Sequence, residues 1–444
     1  MGAFELCVKG VRLAESLGAS QAEVVAFVGR SLSLTVERCF VKSVDEGSSS
    51  SLGVRVYMGK SIGISTATPL DEDMVEKAVR RAIALAKSTP PDEAFVSLPG
   101  DGRPAEVEGL YDEAIGVLSP EELVSKVLDG VRSLKNVDGT LDASGRAGLG
   151  VSEGFIVNSL GIERTQKASR LSFGIEALKK AGGGEIGTGY DYFLTRSIKG
   201  LRFEEVGENA ARKAVKSVGG RRVGSGEYVL ILDERTTLGT LERIVGYGAN
   251  AFYVLQKSSY YSGRLGERVA SEHLSIMDDP LYPFGWASSP FDDEGYPCSR
   301  VKLVEKGILA NYITDSYTAN ALNIGNNGHA ARPGLAEKPM PSLTNLQVAP
   351  GDYEDDELFK DVKLGIYVYD SSLGPVGGST NVSSLVDHGF LVENGEIKHP
   401  VKNTMVGSTV LQILQSVDAV GRRTRNEAGR IAPKIRIRNV RVSS

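Results

Sequence analysis

Cysteine and histidine, the residues that most often carry metal and nucleophile chemistry, are scarce. Of 444 residues only three are Cys (Cys7, Cys39, Cys298) and four are His (His273, His329, His388, His399). No Cys-x-x-Cys pair occurs, which fits a reducing compartment with free buried thiols. No two His stand at His-x-x-x-His spacing and none precedes a Glu, which removes the helical zinc-protease pattern. No apolar run approaches the roughly 20 residues that cross a bilayer. Residues 1–5 lack a basic, apolar leader pattern, so no signal peptide is expected and a cytoplasmic location follows. Lys and Arg number 51 against 56 Asp and Glu, a net charge of −5. That balance argues against a direct nucleic-acid binder.

What the chain does have is glycine, 52 residues spread between β-type runs, which points to tight turns rather than disorder. Length alone suggests two or three domains. Residues 4–17 and 71–87 have helical apolar spacing. Residues 22–28, 32–40, 52–57 and 61–66 read as strands, with a flexible polar link at 47–51 and a hairpin turn at Met58-Gly59-Lys60. Pro-rich residues 88–118 read as an extended crossing. Ser119-Pro120-Glu121-Glu122 is a capping box opening a helix. Strands follow at 137–144, 148–157, 161–165 and 171–177, then a helix at 203–218. The order helix, meander, helix thus occurs twice, a hint of internal duplication. A Gly-rich basic link at 219–226 marks a boundary. We therefore expect an α+β fold: an N-terminal domain, 1–222, of helices and antiparallel meanders, and a C-terminal domain, 223–444, that is β-rich and barrel-like.

In the C-terminal half, Tyr228 to Leu232 reads as a strand leading into a helix through Leu241, Glu242, Arg243, Ile244, Val245, Gly246, Tyr247 and Gly248. Hairpins are expected at Lys306-Gly307 and Asn394-Gly395, a short helix within 406–417, and a strand at 435–438. Several runs are candidate chemistry. Gly150-Val151-Ser152-Glu153-Gly154 has the letters of a hydrolase elbow, but sits in a meander rather than at a strand-to-helix turn. Gly182-Gly183-Gly184 lacks the helix that a phosphate cradle needs. His388, His399 and Asp387 are close enough in sequence to suggest a metal site, against the plainer reading of surface His. Cys298 reads as a packed thiol. Asp292, Asp293 and Glu294 form an acidic turn, read either as a solvated loop or as a contact for a peptide amine or cation.

The segments Asp292-Asp293-Glu294-Gly295, Gly307-Ile308-Leu309, Pro339-Met340-Pro341 with Thr344-Asn345, Gly377-Gly378 with Asn381, Glu393-Asn394-Gly395 with Pro400-Val401-Lys402, and Val406-Gly407-Ser408 resemble, in order, those of the TldD/PmbA family, also called modulators of DNA gyrase. So does residues 52–68 with the helix after it. In catalytic members the metal helix reads Leu-His-Glu-x-x-Gly-His-Gly. Laid over this chain, that pattern places Glu242 at the first His, Arg243 at the catalytic Glu and Tyr247 at the second His. Arg243 cannot act as a base. Catalytic relatives also carry a Cys near the C-terminus, and residues 422–444 contain neither Cys nor His. The resemblance therefore implies the non-catalytic, TldE/PmbA-like branch. It implies no metal in this chain, zinc in a TldD-like catalytic partner, a peptide substrate, and Asp292, Asp293 and Glu294 as candidates for the peptide cleft. The alternatives are a homodimeric peptide-binding protein without protease activity and an active metallopeptidase with an unrecognised site.

Overall fold

The computed structural model describes residues 2–100, 102–375 and 378–444. The N-terminal half runs α1 (Ala3–Ser16), β1 (Gln21–Glu37), β2 (Phe40–Met58), β3 (Ser61–Ala67), α2 (Glu72–Ser88), α3 (Glu113–Gly116), α4 (Pro120–Val137), β4 (Asp142–Asn158), β5 (Glu163–Lys180), β6 (Ile186–Thr195) and α5 (Phe203–Lys216). Its strands form one six-stranded sheet in the order β3-β2-β1-β4-β5-β6. The helix, three-strand, helix unit occurs twice, and the two units meet where β1 and β4 pair antiparallel, from Glu23 opposite Asn158 to Val36 opposite Gly145. Gly63 lets α2 approach β3 at Ala82, and Gly189 lets α5 approach β6 at Ala210 and Ala214; a Cβ at either glycine would strike helix backbone. Ser119 and Glu122 form the expected capping box of α4 with Pro120 in its first turn, and Asp71 caps α2 by accepting from Met74 N.

The strands are longer than expected. Residues 22–28 and 32–40 are not two strands, because Gly29 keeps its ladder positions opposite both Ser49 and Ser152. The link expected at 47–51 lies inside β2, with Gly47 opposite Ser31. Both faces of β2 are exposed there, so side-chain alternation vanishes while backbone pairing continues. The four short strands expected between 137 and 177 are likewise β4 and β5, and Val137 itself ends α4.

The C-terminal half contributes β7 (Gly226–Leu232), α6 (Glu234–Gly248), β8 (Ile276–Asp278), β9 (Val301–Glu305), β10 (Ile308–Leu309), β11 (Ala330–Ala331), β12 (Met340–Pro341), β13 (Leu346–Val348), β14 (Leu364–Asp370), β15 (Asn381–Leu385), β16 (His388–Glu393), β17 (Glu396–Pro400), β18 (Met405–Thr409), β19 (Val417–Glu427) and β20 (Arg430–Ser443). A mixed sheet runs β10-β9-β8-β13-β20-β7-β14-β16-β17. β18 and β19 also pair with β20, and β15 pairs with β18. β7 and β14 are parallel. The fold is α+β, but the expected barrel is not closed: β10 and β17 are the free ends of the path among the described residues, and closure would require them to pair. The helix expected within 406–417 is confined to Val410–Gln415, because β18 takes the residues before it. Lys306-Gly307 and Asn394-Gly395 all have positive φ, as two-residue hairpin turns require. The largest core packs α6 against this sheet through Leu238, Leu241, Ile244 and Val245. No helix among the described residues is long and apolar enough to cross a membrane.

Candidate functional site

The strand-to-helix unit at the centre of the C-terminal half forms as the sequence pattern requires. Leu230 and Leu232 are buried, and α6 turns its apolar stripe inward. Its outer face, with Glu242, Arg243, Gly246 and Tyr247, lines an open cleft of about 600 Å³. The facing wall is the β11–β12 ribbon and Ser342, Leu343 and Thr344. The first turn of α6 is pinned by Arg235. Its guanidinium donates to Glu427 Oε1 (2.9 Å) and Tyr192 O (2.7 Å), pairs with Asp191, and lies 4.2 Å from the Tyr192 ring centre. One arginine thus ties the helix to both halves of the chain.

Each of the three substituted positions is occupied in its own way. Glu242 accepts from Arg430 Nε at 2.6 Å and from Arg430 Nη2, so both carboxylate oxygens are taken by a permanent cation. Arg243 does not pair with its neighbour. It is exposed, its side chain makes no ion pair or hydrogen bond among the described residues, and its aliphatic stem rests on Gly374, where a Cβ would come within 2.8 Å of Cδ. Tyr247 stacks on Tyr253 with ring centres 4.1 Å apart and planes 21° apart. Its hydroxyl lies against Gly378. Of the expected Gly374–Thr380 segment, Val376 and Gly377 lie outside the described residues.

The acidic turn is not a solvated loop. Asp292 and Glu294 are buried. Asp292 organises the turn by accepting from the backbone N–H of Glu294 (2.9 Å), Tyr296 (3.0 Å) and Ala330 (3.1 Å). Burial, and then the charge of Glu294, hold its carboxyl well above the usual carboxylate range; burial also raises Asp293. Asp292 and Asp293 line a second cavity of about 390 Å³, between the two sheets, with Arg170, Cys298 and His329. It shares Ser342, Leu343 and Thr344 with the α6 cleft, so one ribbon separates the two spaces. Glu294 belongs elsewhere: it accepts from Arg55 Nη2 at 2.9 Å and from Ser316 N at 3.0 Å. Arg55 also donates to Glu23 (2.8 Å), and Glu23 accepts from Arg332 (2.5 Å). Glu23, Arg55, Arg332, Asp191, Arg235 and Glu427 were not singled out in the sequence. Each sits in an ordinary strand or helix pattern, and only the folded chain brings them together.

The remaining candidates separate. His329 is buried, with Nε2 3.1 Å from Asp278 Oδ2 and Nδ1 3.1 Å from Asn327 O, so both ring nitrogens are engaged. Burial first, then Asp292, Asp293 and Asp278, push the Cys298 thiol well up, which favours its protonated form. His388 lies 3.5 Å from Thr188 Oγ1, whereas His399 Nδ1 is 3.0 Å from Pro400 O, and the register that pairs Phe390 with Pro400 gives the two rings different neighbours. No group of three or more His, Cys, Asp and Glu converges as a metal site among the described residues. Ser152 is in mid-strand, paired with Gly29 and Ala168, with no elbow.

Three family models cover most of the chain: the PmbA/TldA metallopeptidase domain 1 over residues 22–86, its central domain over 113–218, and its C-terminal domain over 225–444. The chain belongs to the TldD/PmbA family. It is 26% identical over 413 residues to a metalloprotease of Methanothermobacter thermautotrophicus, covering 90% of this chain and 87% of that one. It is 27% identical over 416 residues to the metalloprotease PmbA homolog of Haemophilus influenzae, covering 92% and 89%. The crystal structure of TldE from Thermococcus kodakarensis has the same fold, with a TM-score of 0.90 at 21% identity and full coverage of both chains. The outward side chains of α6 line the cleft that is the candidate site.

Proposed function

We propose that this chain is the non-catalytic, TldE/PmbA-like subunit of a two-chain zinc metallopeptidase acting on small or unfolded peptides. What carries the reading is the Arg430–Glu242 pair: the carboxylate at the first ligand position is consumed by a guanidinium. Arg243 beside it offers no base, and Tyr247 is held in an aromatic stack. Zinc and the proton-accepting Glu would come from a partner chain carrying His-Glu-x-x-x-His. The part left to this chain is to shape the cleft. An extended peptide laid along the β11–β12 ribbon would be recognised through its backbone, which suits substrates of no fixed sequence.

The test is to purify the untagged chain, measure its transition metal by elemental mass spectrometry, and assay peptide hydrolysis alone and after mixing with a His-Glu-x-x-x-His chain of the family. Near-zero metal, no hydrolysis alone, and chelator-sensitive hydrolysis in a stable mixed complex are expected. Stoichiometric zinc with chelator-sensitive hydrolysis by the isolated chain would overturn the reading. Peptide binding by a homodimer that ignores the second chain would replace it with a peptide-binding protein.

A further inference from the structure

Among the described residues, three charged side chains line the α6 cleft: Glu242, Arg243 and Arg332. Two are neutralised within the fold, Glu242 by Arg430 and Arg332 by Glu23. Arg243 has no counter-charge among the described residues and is exposed. The cleft therefore presents one uncompensated positive charge. It is carried on a stem that packs on Gly374, so less side-chain freedom remains to be lost when a ligand arrives. One helical turn along the same face, the stacked rings of Tyr247 and Tyr253 supply a flat, half-buried apolar surface. A planar guanidinium with free donors matches the two oxygens of a carboxylate. Adjacent aromatic rings suit an apolar side chain next to it.

We propose that the α6 cleft anchors an extended peptide through a carboxylate held by Arg243, with the neighbouring peptide side chain against Tyr247 and Tyr253. This rests on the peptide-cleft reading above and adds the chemical group that the cleft selects. The carboxylate is supplied by the peptide C-terminus or by an acidic side chain, and the experiment separates the two.

The full-length chain is titrated calorimetrically with three acetylated pentapeptides. These are Ala-Ser-Val-Gly-Leu as the free acid, the same sequence as the C-terminal amide, and an amide in which Glu replaces Ser. The free acid is expected to bind roughly tenfold more tightly than the plain amide at low salt, the scale of a charge-assisted hydrogen bond, with the gap narrowing at high salt. Arg243→Gln should erase the gap and leave the amide's affinity within about twofold, while Arg243→Lys should retain part of it as a point charge. A Glu-containing amide that binds as the free acid does supports the carboxylate anchor and assigns it to a side chain; one that binds as the plain amide does assigns it to the terminus. Equal binding of all three peptides, or a gap that survives Arg243→Gln, overturns the anchor and leaves the peptide cleft standing. No binding of any peptide removes both.

Discussion

Arg430 of β20 holds Glu242 of α6 through both carboxylate oxygens, 188 positions apart in the chain. A guanidinium within hydrogen-bond reach of position 242 repels a divalent cation placed there. Installing Glu242→His, Arg243→Glu and Tyr247→His together should therefore leave the chain with well under one zinc after dialysis. Adding Arg430→Cys removes the cation and supplies a thiol on the strand facing position 242, and zinc content should rise above that of the triple variant. Elemental mass spectrometry of the two variants decides this. Full zinc loading while Arg430 remains would show that the pair does not guard the site.

A second prediction concerns how the two sheets are joined. Glu23, Arg55 and Glu294 form a buried line across them, each side chain 5% exposed or less. Arg55→Met leaves Glu294 without its cation and Glu23 with Arg332 alone, and should cost about 3–5 kcal/mol at neutral pH. Burial pushes the Glu23 carboxyl up, but Arg55 and Arg332 outweigh it and hold it below its usual range. A depressed carboxyl stabilises the fold above its unfolded value and loses that contribution as pH falls through the folded value. The loss in Arg55→Met should therefore shrink in acid. Urea midpoints at pH 7 and pH 4 measure it. Combining Arg55→Met with Glu294→Gln, which leaves the Glu23–Arg332 pair in place, should recover part of the stability, and no recovery would mean that packing dominates.

Asp233, which precedes α6, works in the opposite direction. Burial, then Glu234, raises its carboxyl from 3.8 to about 7, while Tyr367 donates to it at 2.5 Å. Between those values the folded chain holds a proton that the unfolded chain releases. Asp233 therefore makes stability decline as pH rises from about 4 to 7 and level off above. Asp233→Asn keeps an acceptor for Tyr367 and removes the charge. Its denaturation midpoint should exceed the parent's at pH 8, by an amount on the order of 1–3 kcal/mol, and approach it at pH 5. A variant weaker than the parent mainly at pH 8 would contradict this.

Much of this molecule was decided by the sequence alone. Glycine and the Lys-Gly and Asn-Gly pairs set hairpins, because few other residues take positive φ cheaply. Ser119, Pro120 and Glu122 start a helix wherever they stand. The types of side chain at 242, 243 and 247 exclude a base and two His ligands before any coordinate is known. Tertiary structure decided the rest. Whether residues 47–51 were loop or strand depended on a partner strand, since exposure on both faces hides the period. Whether Asp292 and Glu294 were solvated depended on Arg55 and on the sheet laid over them. Arg243 has no counter-charge among the described residues, and Glu242 beside it is held by Arg430, far along the chain. Charge pairing acts through space over a few ångströms, and a linear pattern carries no distance between residues so far apart.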